Sequence, residues 1–103
     1  MVTFKTNNYR DVSMFAGDAH TLLGLMGVGI RVPGAVKAEQ VPAALERLRK
    51  AIETHGEQPS PSGYESDDED EEEEQPVLIK TRAFPLLELL SAAADANDYV
   101  IWE

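Results

Sequence analysis

Ten consecutive positions, Glu65 to Glu74, carry nine carboxylates: Glu65, Asp67, Asp68, Glu69, Asp70, Glu71, Glu72, Glu73 and Glu74, broken only by Ser66. Three kinds of chemistry are open to such a run. It could hold a divalent cation, but hard cations require several oxygens in fixed geometry, and a string of side chains without a scaffold supplies oxygens without geometry. It could hold a basic protein partner by long-range attraction that salt weakens. Or it could be a solvated interruption that cannot fold on itself, because like charges repel and no apolar surface offsets the lost chain entropy. The last is the expected state of the run, and the second is its rival function.

The other chemically capable residues are sparse. His20 and His55 lie far apart, His20 and Asp18 are two residues apart and point away from each other on a helix, and the chain has no cysteine. A zinc set of three or four converging ligands is therefore not expected, nor is any other metal or cofactor. Gly27, Gly29 and Gly34 miss the Gly-x-Gly-x-x-Gly spacing of a phosphate loop and follow a helical pattern, not a strand. Arg31 nevertheless makes this loop the candidate for a small-anion site or an enzyme. Ser13, Ser91 and the threonines have no adjacent base. Phe84 and Trp102 read as core aromatics; exposed together, they would mark a contact surface.

The elements that position these residues follow from periodicity. Val2, Phe4 and Thr6 alternate with polar residues, as do Val12 and Met14. Asn7-Asn8 between them suits a hairpin turn, since asparagine tolerates left-handed backbone. A competing helix from Asp11, through Val12, Phe15, Ala16 and Ala19, is weakened by Gly17. Ala19, Leu22, Leu23 and Met26 predict a helix over Asp18–Met26, with Asp18 at the positive end of its dipole and Gly27 as its stop. Gly27 to Val36 reads as a loop that ends in a short extended piece at Ala35-Val36. Val41, Ala44, Leu45, Leu48 and Ile52 predict a second helix over Glu39–Thr54, with Pro42 in its first turn. A third, from Thr81 or Phe84 to Ala96, has the stripe Ala83, Leu86, Leu87, Leu90 and Ala94, with Pro85 in its first turn or at a kink. Val77-Leu78-Ile79 stays open between strand and irregular lead-in, and Tyr99 to Trp102 reads as a terminal strand.

Together these give one α+β domain over residues 1–103: a small antiparallel sheet, made of the N-terminal hairpin and the C-terminal strand, packed by three helices. The ordered parts are about 1–55 and 76–103, interrupted by a disordered acidic insert at about 56–75. Without the run, ten acidic residues face nine basic ones, so the remainder is nearly neutral. The scattered cations and the anionic run argue against nucleic acid. The longest apolar run is too short for a membrane span, and the N-terminus shows no signal-peptide pattern, so a cytoplasmic protein is expected.

Three stretches carry a family resemblance: Leu22-Leu23-Gly24-Leu25-Met26-Gly27; Pro33-Gly34-Ala35-Val36 through Val41-Pro42-Ala43-Ala44-Leu45; and Arg82-Ala83-Phe84-Pro85-Leu86-Leu87-Glu88-Leu89-Leu90 with the ending Val100-Ile101-Trp102-Glu103. They resemble a group of short proteobacterial proteins that share a domain of unknown function, number eighteen-forty. The resemblance implies a bacterial cytosolic origin and assigns no activity.

The functional expectation is a non-enzymatic protein-interaction module, with a homodimer as one form, built on an unpaired terminal strand that extends its sheet across a two-fold axis. The alternatives are a regulator of a basic protein through Glu65 to Glu74, and a small-anion binder or enzyme at Arg31.

Overall fold

A computed structural model describes residues 1–60 and 77–103; the acidic run lies outside them. The elements are β1 (Val2–Thr6), β2 (Tyr9–Met14), α1 (Ala16–Met26), β3 (Gly34–Val36), a 3-10 turn (Ala38–Gln40), α2 (Val41–His55), α3 (Ile79–Ala96) and β4 (Val100–Trp102). The α+β reading holds, with a fourth strand added. The sheet is antiparallel, in the order β2-β1-β4-β3. Its inner face, including Val2, Phe4, Val12, Met14, Val100 and Trp102, is buried against the helices. Residues from both described segments meet in one core.

The sheet order corrects the expected role of the terminal strand. β4 is central, hydrogen-bonded to β1 on one side and to β3 on the other, and among the described residues the open edges belong to β2 and β3. The sequence motive for a dimer through β4 therefore falls. The covering strand is the Ala35-Val36 piece, extended by Gly34. Gly34 lies opposite Trp102, and a Cβ there would sit 2.6 Å from three indole atoms, so only glycine lets β3 approach the tryptophan.

In the hairpin, Val2, Thr3 and Phe4 pair with Met14, Ser13 and Val12, and Thr6 with Tyr9. The register shifts between Phe4 and Thr6, so Arg10 and Asp11 together oppose Lys5, a bulge on the edge strand. The turn does not use left-handed asparagines. The only non-glycine residue with positive φ among the described residues is Asn97, at 57°. Asn7 and Asn8 serve as donors instead: the Asn7 backbone and side-chain nitrogens and Asn8 Nδ2 all reach the Asp98 carboxylate, at 3.2, 3.3 and 3.1 Å.

Both ends of the α1 and α3 patterns are read from chemistry. Gly27 (φ 74°) closes α1: its N–H donates to Gly24 O and the Val28 N–H to Leu23 O, and Arg47 Nη1 donates to Met26 O at 3.4 Å. Asn97 and Asp98 close α3 in the same way on Ala94 O and Ala93 O. α1 begins at Ala16, because β2 runs on to Met14 and rules out a helix from Asp11. α3 begins at Ile79, so Pro85 lies inside it, past the first turn. Its buried face is Ile79, Ala83, Leu86, Leu89, Leu90 and Ala93. Leu87 and Ala94, expected in the stripe, are only half-buried, because α3 packs on both α2 and the sheet and turns Leu89 and Ala93 inward.

The segment after α2 is also more structured than expected. Residues 56–60, placed by sequence in the insert, form a turn and a bridge, with Pro59 pairing with Leu78.

Candidate functional site

The expected partner contacts Glu65, Asp67, Asp68, Glu69, Asp70, Glu71, Glu72, Glu73 and Glu74 lie outside the described residues. The two aromatics do not share a surface. Phe84 is 59% exposed on α3, whereas Trp102 is 2% exposed. Trp102 packs on Phe4, with ring centroids 5.9 Å apart, and donates its Nε1–H to Arg31 O at 2.8 Å. The indole is thus a core residue that fixes the Gly27–Pro33 loop by its backbone. The Arg31 side chain is exposed. The cavity beside that loop, about 350 Å³, is lined instead by Gly27, Val28, Val36, Gln40, Ala43 and Arg47.

A concave surface beside an open backbone edge lies where β2 runs into α1. Among the described residues β2 pairs only with β1, which leaves its outer edge unpartnered. At the Tyr9 end the seam between β2 and α3 is closed, because Tyr9 OH donates to Glu88 Oε1 at 2.9 Å; that bond is the main reason the phenol's pKa is raised. Arg10 lies over the same ring, 5.1 Å from its centroid. At the Met14 end the seam widens into a groove of about 190 Å³. Met1, Met14 and Phe15 form the strand side; Thr81, Arg82 and Pro85 form the helix side. Met1 is 73% and Phe15 47% exposed.

Beneath the groove is a buried polar cluster that sequence reading missed. Asp18 is fully buried in the first turn of α1. Its carboxylate accepts a hydrogen bond from Ser60 Oγ, and Arg82 Nε lies 3.5 Å from its other oxygen. The sequence signal was an acid at a helix start, which normally faces water. Its burial requires a donor from residue 60 and a cation from residue 82, and no local spacing encodes either. The Ser60 N–H also donates to Val77 O at 2.7 Å. Both ends of the segment that contains the acidic run are therefore tied together, next to Asp18.

His20 and His55 are exposed on different helices. Among the described residues, no group of three or more His, Asp or Glu is placed to hold a metal ion. No helix among them is long and apolar enough to cross a membrane.

No curated protein and no solved structure matches the chain. One family model, Domain of unknown function (DUF1840), matches residues 1–102, and the protein belongs to that family.

Proposed function

We propose that this domain works by contact with another polypeptide and not by catalysis, and that it receives an extended segment along the open edge of β2. The observation that carries the reading is the continuity of that edge with the Met1–Phe15–Pro85 groove. An added strand gains affinity from main-chain hydrogen bonds to an open edge, and specificity from a side chain seated in an adjoining pocket. The bulge at Arg10 and Asp11 and the two charges there discourage pairing over the first half of β2. The usable edge is therefore Val12 to Met14, beside the groove. A second copy of the chain is one candidate segment donor, and the sheet edge it would use is β2 rather than β4.

Selection of displayed random peptides on the full chain, followed by amide NMR of the labelled protein, tests this. Binders should carry an apolar residue and shift the amides of Val12 to Phe15 and of Thr81 and Arg82, and Phe15→Lys should abolish the shifts. Binders that map elsewhere, or a selection that returns none, would overturn the reading. Light scattering at high micromolar concentration reports whether a second copy occupies the edge.

A second reading places the contact on the acidic run, with a basic protein as partner. It is supported by the tie between Ser60 and Val77, which brings together the two described ends of the segment that contains the run. Selected peptides would then be rich in Lys and Arg, lose binding steeply as salt rises, and fail on a chain lacking Glu65 to Glu74.

A further inference from the structure

We infer that residues 56–60 form a strap that opens as a unit, and that the buried Asp18 carboxylate is its latch. The strap lies along the start of α3 through three backbone bonds: Lys80 N to Gly56 O at 3.1 Å, Ile79 N to Gln58 O at 2.8 Å, and Ser60 N to Val77 O at 2.7 Å. Little apolar area holds it. Glu57, Gln58 and Pro59 are exposed, and only its two ends, Gly56 and Ser60, are buried. Gly56 is the hinge. There a Cβ would strike the Ile52 carbonyl oxygen in the last turn of α2 and come within 3.0 Å of Lys80 Cβ at the start of α3. At the other end, the Ser60 hydroxyl reaches Asp18.

The chemistry of the latch makes this the easiest place for the domain to open. Opening the core elsewhere exposes aliphatic side chains to water, with nothing to offset the loss. Releasing Ser60 gives water access to a buried carboxylate, and recovered hydration of that charge compensates part of the broken contacts. Two consequences follow from position. The strap supplies the Gln58–Pro59 wall of a second groove, about 380 Å³, whose other walls are Thr21, Leu25, His55 and Ile79; lifting the strap uncovers Leu25 and Ile79. Ser60, at the far end of the strap, is also the last described residue before the segment that contains the acidic run. The device thus couples release of Ser60 to exposure of the α1–α3 groove.

Hydrogen exchange on the full chain tests the inference. Amides of Ser60, Ile79 and Lys80 should exchange at least tenfold faster than those of Phe4, Ile101 and Trp102. Ser60→Ala should speed the first group about tenfold more and leave the second unchanged. Because the chain contains no cysteine, Pro59→Cys with Leu78→Cys gives a reversible lock across the bridge: exchange at Ser60 should slow on oxidation and recover on reduction. If the three strap amides exchange in step with the core, if Ser60→Ala accelerates both groups alike, or if oxidation of the lock changes nothing, the strap does not open as a unit and the inference fails.

Discussion

The two ends of this domain are held by different physics. At the end where the hairpin turn meets the C-terminus of α3, the Asp98 carboxylate gathers Asn7, Asn8, Thr6 and the Tyr99 N–H, and β4 is clamped between two strands. These groups come from opposite ends of the chain, and the pairing of β1 with β4 brings them together. At the opposite end, the roots of the acidic segment are held by a buried carboxylate whose partners include Ser60 and Arg82. The first end gains stability from close packing and from several donors gathered on a half-buried carboxylate; the second depends on a carboxylate that has been removed from water. The difference shows that one small core can join a part fixed by close packing to a part held by a buried carboxylate.

Mutations rank the two ends. Trp102→Ala removes the centre of the first end, empties the space between Phe4 and Gly34, and leaves Arg31 O without its donor. We expect a loss of about 3–5 kcal/mol, typical of buried aromatic truncation, read as a lower urea midpoint. Gly34→Ala forces a methyl against the indole and should cost about 1–3 kcal/mol through overpacking, with Trp102 fluorescence reporting the displacement. A near-neutral result would mean that β3 is not keyed to the tryptophan. Asp98→Ala should cost roughly 1–2 kcal/mol, since the bonds it removes are partly exposed to water. Its signature is faster exchange at the Asn7 amide while the Ser60 amide stays unchanged.

The smallest effect is the pH dependence of the Lys5–Glu103 pair on the outer face of the sheet, at 2.7 Å. The side-chain hydrogen bond to Lys5 holds the Glu103 carboxyl below its ordinary 4.5, and the reciprocal bond raises Lys5 above 10.5. The carboxylate's contribution is therefore present above pH 4.5 and lost as pH falls through its lowered value. The ammonium's is present below pH 10.5 and lost as pH rises through its raised value. Both groups are exposed, so the effect on unfolding is small, and Lys5→Met should flatten the acid limb of a thermal unfolding profile measured from pH 6 to pH 3. An unchanged limb would show that the pair contributes nothing.

How much of this was legible in the sequence depended on whether the determinant was local. Both left-handed helix stops are local: Gly27 reads as one because glycine accepts positive φ, whereas Asn97 shows itself as one only through its φ of 57°. The strands of the hairpin followed from alternation, whereas the reason for Asn7 and Asn8 did not: it lies at Asp98, ninety residues away. β3 has three residues, too few for alternation to register, and without it β4 looked like an open edge. The stripe of α3 was misplaced because one helix facing two partners buries a broader arc than a single apolar line. Asp18 escaped for the same reason as Asn7: its meaning resides in residues far along the chain.

The tie between Ser60 and Val77 has one more consequence. Since Ser60 and Val77 meet at a single gate, lengthening the connection between them costs about 0.6 kcal/mol of loop-closure entropy for each doubling. A fluorescent protein or affinity tag spliced into that connection should therefore ride on the domain without disturbing its register, which makes this gate the natural place from which to watch the molecule at work.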